Sequence, residues 1–177
     1  MGLPKLALQR LNLPTLLVMV MLASGCAGYK LGPTNGVVAR EKSVQFNPFA
    51  DQTLQPRVSD AVNQQLRKEL QRDGTYSLAT HNNGDIIVSG SLVRFQRYEV
   101  SFASNDILTV RDFRLLLTAQ VTARERATGK VIFDQAVTGS TIIRVGADLT
   151  SSERQAMPLL AADLARNVTA LLVDGTW

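Results

Sequence analysis

The chain has 177 residues, 45% of them hydrophobic and 19% charged, with 19 Lys and Arg against 15 Asp and Glu. Two of the basic residues, Lys5 and Arg10, precede residue 26 and no acidic residue does. The remainder is therefore close to balanced, 17 basic against 15 acidic, which removes most of the support for a nucleic-acid binder. A single cysteine and a single histidine exclude thiolate metal sites, redox pairs and His clusters within the chain, and no cofactor is expected.

Lys5 and Arg10 form a positive n-region, and the apolar run over residues 13–22 is unbroken from Leu16 onward. This pattern predicts a signal peptide over residues 1–25. About ten apolar residues fall short of the ~20 that a helix needs to cross a hydrocarbon core of ~30 Å, so a retained span is not expected. Ala23, Ser24 and Gly25 lead straight into Cys26. The stretch resembles the lipobox of bacterial lipoproteins, in which a lipid is joined to the cysteine thiol and the chain is cut before it. It departs from the usual pattern three places before the cysteine, where Ala23 stands instead of Leu, with Leu22 one place earlier. The alternative is an ordinary secretory signal cut near an unremarkable cysteine. A lone cysteine in an exported chain has no internal disulfide partner, which favours lipidation at Cys26. At ~0.8 kcal/mol per buried CH₂, a multiply acylated N-terminus is a stable anchor. Ala27 follows where some lipoproteins carry Asp, and by the same resemblance implies sorting to the outer membrane.

Residues 26–40 carry Gly28, Gly32, Pro33, Asn35 and Gly36 and show no sustained apolar period, which predicts a lipidated N-terminus and tether. The rest, residues 41–177, has the size of one domain. A first strand is predicted over residues 42–46, where Val44 and Phe46 alternate with polar residues, ended by Asn47-Pro48. Thr53 is the predicted N-cap of a helix with Pro56 in its first turn. Leu54, Val58, Val62, Leu66 and Leu70 form its core face, and Asp73-Gly74 stops it.

A short strand over residues 76–80 follows, and then a tight hairpin turn at His81-Asn82-Asn83-Gly84. The next strand covers residues 85–97, with Gly90 leaving room for a close neighbour and the apolar phase changing around Val93 and Phe95, which predicts a bulge. Residues 113–123 alternate strictly, Phe113, Leu115, Leu117, Ala119, Val121 and Ala123 against Arg114, Leu116, Thr118, Gln120 and Thr122. Such a strand has one face on the core and the other toward solvent or a partner. After the turn Ala127-Thr128-Gly129-Lys130, a partner strand covers residues 131–145, with Val131, Phe133, Val137, Thr141 and Ile143 on one face. Thr150-Ser151-Ser152-Glu153 reads as a capping box for a last helix striped by Met157, Leu160, Ala161, Leu164, Val168, Leu171 and Leu172. Pro158 predicts a kink or a fresh start within it. The order β-α-β-β-β-β-α predicts an α+β two-layer sandwich: two amphipathic helices on one face of a mixed, mostly antiparallel sheet of four or five strands.

Catalytic chemistry finds little support. His81 sits in a turn with no local carboxylate to orient it. Asp106, Asp112, Glu125 and Asp134 show no acid/base spacing, and no Gly-rich phosphate loop occurs. Asn167-Val168-Thr169 fits a glycosylation pattern but lies inside a predicted helix. Basic residues concentrate instead on strands and turns: Arg94, Arg97, Arg111, Arg114, Arg124, Arg126, Lys130 and Arg144. Guanidinium groups grip phosphates bidentately, so these are candidate contacts for a phosphorylated glycolipid or a partner. The competing reading is a solvated face paired with nearby acids.

From Ser43-Val44-Gln45-Phe46-Asn47-Pro48-Phe49 and Thr53-Leu54-Gln55-Pro56, the chain resembles the outer-membrane lipopolysaccharide-assembly lipoproteins, the LptE family. Gly84-Asp85-Ile86-Ile87-Val88-Ser89-Gly90, Phe113-Arg114-Leu115, Thr128-Gly129-Lys130-Val131 and the Ala-rich last helix follow in the family's order. The resemblance implies a non-catalytic plug inside a large outer-membrane β-barrel (LptD-like) that inserts lipopolysaccharide into the outer leaflet, with lipopolysaccharide itself as a second partner. It implies no enzyme activity, no nucleic acid, and a place at the periplasmic face of the outer membrane, held by the lipid. The alternative function is an accessory outer-membrane lipoprotein of a cell-wall synthase or a secretion assembly, which would favour a long disordered tether over the short one present.

Overall fold

The computed structural model describes residues 40–103, 106–145 and 148–175. Cys26 and the expectations for the signal peptide and tether lie outside the described residues.

Strand β1 (Ser43–Phe46) leads into β2 (Ala50–Asp51), and both lie along the same edge of β4 (Ile86–Ala103). The two-residue β2 was not foreseen, because it has no period of its own and exists only by pairing with Ser91 and Leu92. In the gap between them Asn47 donates its N–H to the Val88 carbonyl at 2.9 Å, and Phe49 turns into the core, 3% exposed. Gly90 makes room for it: a Cβ there would stand 2.9 Å from the Phe49 ring and 2.7 Å from the Gln120 carbonyl oxygen.

Helix α1 (Val58–Asp73) buries the four-residue stripe Val58, Val62, Leu66 and Leu70, each such side chain contributing ~1.5–3 kcal/mol on burial. It ends as expected at Gly74, whose φ of 75° no β-carbon opposes and whose N–H bonds back to the Leu70 carbonyl. Its start differs from expectation. Pairing of β2 holds the chain extended through Gln52, whose N–H reaches the Leu92 carbonyl at 2.9 Å. Thr53 therefore does not cap the helix; its N–H and hydroxyl both donate to Asp51 Oδ1. The helix begins after Arg57, in left-handed conformation at φ 63°, and Leu54 is left 96% exposed instead of joining the core.

After α1, β3 (Ser77–Leu78) pairs in parallel with the outer side of β1, making a β-α-β unit. The tight hairpin expected at Asn83-Gly84 does not form, because β1 lies between β3 and β4 and is parallel to both. The chain must step over β1, and Gly84 permits it: a Cβ would fall 2.6 Å from the Gln45 backbone nitrogen. Positive φ falls on Asn82 instead, at 54°.

β4 and β5 (Asp106–Glu125) form a long antiparallel hairpin, extending beyond both spans read from sequence, and β6 (Val131–Arg144) flanks β5. The sheet order is β3-β1-β4-β5-β6, six strands with β2 beside β4. The bulge foreseen near Val93 is present as a register shift between Leu92 and Arg94. In the β5–β6 pairing a shift between Ala123 and Arg124 rotates Val131 outward, 42% exposed, whereas Phe133, Val137 and Ile143 face the core.

Helix α2 (Leu149–Asp174) is capped by Asp148, not by Thr150: its carboxylate accepts from the N–H groups of Thr150 at 3.2 Å and Ser151 at 2.9 Å. Pro158 causes no fresh start, since the helix runs through it on the exposed side, where water can serve the carbonyl it leaves free. The helix is long and apolar enough to cross a membrane, with an 18-residue stretch of mean hydropathy 1.4, but half of that stretch is buried in the domain, as in a core helix. Both helices pack on one sheet face, over Val88, Leu92, Leu115, Leu117, Ala119 and Val121. They run parallel: their starts border one groove, and Tyr76, just after α1, donates its hydroxyl to the Leu172 carbonyl near the end of α2. Burial raises the Tyr76 pKa, with Asp73 adding to it.

The Ser151 hydroxyl, followed by the backbone amides of Ser151 and Thr150, holds the Asp148 carboxyl below its ordinary value of 3.8. A depressed folded pKa stabilises above the unfolded value and is lost as pH falls through the folded one. Asp148→Asn keeps an acceptor for the cap but no titration. Its melting temperature is expected to fall less steeply than wild type between pH 5 and 2, and parallel curves would show that the cap does not titrate with folding.

Candidate functional site

With both helices on one side, no element among the described residues covers the other face of β4, β5 and β6. Register places its side chains in rungs. Arg94, Thr118 and Thr138 form one; Gln96, Leu116 and Ser140 the next; then Tyr98, Arg114 and Ile142; then Ser101, Asp112 and Arg144. Strand spacing puts neighbours in a rung ~4.8 Å apart, with rungs ~6.6 Å apart. Thr118 and Thr138 join hydroxyls at 3.3 Å. Asp112 accepts from the Ser101 hydroxyl and, at 3.1 Å, from Arg144 Nε. Those bonds, Ser101 first, hold the Asp112 carboxyl below the usual carboxylate range, so it stays anionic and offsets Arg144. Among the described residues Arg94 and Arg114 have no such acid. Tyr98 and Ile142, flanking Arg114, are 47% and 58% exposed.

The free edge of β6 is partly closed by α2. Ser140 donates its N–H to Asp163 at 2.8 Å, and the Asn167 amide donates to the Thr138 carbonyl at 2.7 Å. Asp163 and Asn167, four apart on one helix face, thus straddle Gly139, where a Cβ would stand 2.5 Å from the Leu164 backbone nitrogen. The glycosylation-like Asn167 is engaged with the sheet, and Thr169 is 4% exposed.

The eight basic residues do not meet in one cluster. Arg124, Arg126 and Lys130 lie at the base, the end where the described chain begins and both helices finish. Arg126 is tied there, donating from Nε to the Gly84 carbonyl at 2.6 Å and from its other nitrogen to the Gln45 side chain. Lys130 is exposed in the turn. Arg97, Arg111, Arg114 and Arg144 lie toward the opposite end, the tip, and Arg94 lies midway along the sheet. Arg97 is on the helix side, 2.9 Å from Glu153 of α2, which accounts for the residue read as the capping-box partner. Arg111 is exposed, and its carbonyl accepts the Val145 N–H at 2.9 Å just past the end of β6. Tyr98, Leu116 and Ile142 were missed as site residues, although Ile142 stands out of phase with the apolar face of its strand and was a readable signal.

His81 is exposed, with Nδ1 2.9 Å from the Thr80 hydroxyl. Among the described residues no group of three His, Cys, Asp or Glu side chains comes together to hold a metal.

These features define an α+β sandwich domain with parallel helices on one face of a mixed sheet and no described element on the other. The chain belongs to the LptE family, described as lipopolysaccharide-assembly, whose family model matches residues 41–172. A protein from Xanthomonas campestris shares the fold with a TM-score of 0.57 at 8% identity, over 81% of this chain and 90% of that one. A hypothetical protein from Chlamydia trachomatis aligns with a TM-score of 0.55 at 10% identity, over 74% of this chain and 95% of that one. At such identities the likeness is one of fold. No curated protein matches the chain.

Proposed function

We propose that this protein is a lipid-anchored, non-catalytic subunit of the outer-membrane machinery that inserts lipopolysaccharide into the outer leaflet, acting as a plug within a β-barrel partner. The observation that carries the reading is the family match across the folded domain. The apolar run ending at Cys26 supports the anchor, and Ala27 supports the outer membrane. From Cys26 to the first described residue, Arg40, roughly fourteen residues reach at most ~50 Å when extended, which suits a partner at the membrane. Contacts with lipopolysaccharide or the barrel by Arg94, Arg97, Arg111, Arg114, Arg124, Arg126, Lys130 and Arg144 belong to the same proposal, with Arg126 the least available because of its bonds to Gly84 and Gln45.

Affinity purification of the full chain from detergent-solubilised membranes is expected to recover an outer-membrane barrel, and depletion is expected to lower surface lipopolysaccharide. Recovery of no barrel together with normal surface lipopolysaccharide would overturn the reading. Cys26→Ser is expected to move the protein from the membrane pellet to the soluble periplasmic fraction. Full membrane retention would refute the anchor while leaving the plug role standing.

A further inference from the structure

We infer that the middle of the sheet face turned away from the helices, centred on Arg94, Tyr98, Arg114, Leu116 and Ile142, is a protein-docking surface whose partner presents carboxylates among apolar side chains. This rests on the assembly role proposed above, and it names the surface that role uses.

Three observations converge. The first is charge. Arg94 and Arg114 lie two rungs apart on one face with no acid paired to them among the described residues, whereas Arg144 is offset by Asp112 and Arg97 by Glu153. A partner that meets this face must supply the missing negative charge.

The second is composition. Tyr98 and Ile142 flank Arg114, and both are about half exposed. Large aromatic and aliphatic side chains beside arginine are what interface centres favour. The same rungs also carry Gln96, Thr118, Thr138 and Ser140. Pressing those amides and hydroxyls into hydrocarbon would strip them of hydrogen bonds at a few kcal/mol each, while a protein surface can return those bonds. This favours a protein over a lipid bilayer.

The third is position. The described chain begins at the base, where the Arg40 N–H bonds to the Thr75 carbonyl. Arg114 is eleven residues along β5 from Glu125 at that end, ~36 Å at strand rise. This surface therefore lies well along the sheet from the end at which the described chain begins.

The test is photocrosslinking in cells, using the full chain with a photoreactive phenylalanine analogue at Tyr98 or Ile142, and at Gln64 on the outer side of α1 as control. Crosslinks to acidic segments of a barrel protein are expected to be stronger from Tyr98 and Ile142 than from Gln64. Arg94→Glu combined with Arg114→Glu is expected to cut barrel recovery on the order of tenfold with an unchanged melting temperature. Barrel recovery intact with crosslinks only from Gln64 would overturn this surface and leave the assembly role. Crosslinks to lipid or lipopolysaccharide in place of protein would overturn the choice of partner. Failure of the unmodified chain to recover any barrel would remove the assembly role, and this surface with it.

Discussion

Gly139→Ala is expected to cost about 3 kcal/mol and to lower the melting temperature by roughly 10 °C in thermal denaturation. At this crossing the backbone of α2 rests directly on β6. An added Cβ would meet the Leu164 nitrogen at 2.5 Å and its Cα at 2.7 Å, atoms that have no rotamer by which to move away. Lifting the helix is opposed on both sides of the contact, because Asp163 holds the Ser140 N–H and Asn167 holds the Thr138 carbonyl. The substitution must therefore compress the packing or break the bonds that close the sheet edge. Gly129→Ala provides the contrast. At φ 70° but with nothing within 4 Å, Gly129 is constrained by conformation alone, and its replacement is expected to cost only ~1 kcal/mol. Equal losses at the two positions would show that steric contact with α2 is not what requires glycine at 139.

Phe49→Ala is expected to cost about 3–5 kcal/mol, measured by denaturant unfolding, the range for an aromatic residue removed from a closed core. The ring fills the gap where the edge strand is interrupted between β1 and β2, and it rests against Gly90 of β4. Its backbone is held as well, since the Phe49 N–H donates to Asn63 Oδ1 of α1 at 2.9 Å. Losing the ring therefore opens a cavity and loosens the link between edge strand and helix. Phe49→Leu, which refills part of the volume, is expected to recover half or more of the loss. A loss below ~1 kcal/mol for Phe49→Ala would mean that the ring is not a core element.

Much of this architecture was legible in local pattern. The four-residue stripe of α1, its stop at Gly74, the alternation of β5 and the bulge after Leu92 all follow from rules that act within a few residues. What failed depended on distant partners. The Asn83-Gly84 pair resembles a hairpin turn, yet β1 occupies the place between β3 and β4. Thr53 has the chemistry of a cap, yet pairing of β2 with β4 delays the helix past it. Asp148 took the cap assigned to Thr150 because its carboxylate reaches two amides together, leaving Glu153 to meet Arg97 across the domain.

The candidate site divides the same way. By itself the amino-acid sequence determined the alternation that gives β5 a bare face, the basic residues on strands and turns, and the lone cysteine after an apolar run, because each is a matter of residue type and spacing. Only the tertiary structure decided which arginines are already engaged, since Arg97, Arg126 and Arg144 find their partners Glu153, Gln45 and Asp112 at separations of 56, 81 and 32 residues along the chain. It likewise brought Tyr98, Arg114 and Ile142 into one rung. Strand register, fixed by packing of the whole core against two helices, sets those neighbours, and no local pattern encodes it.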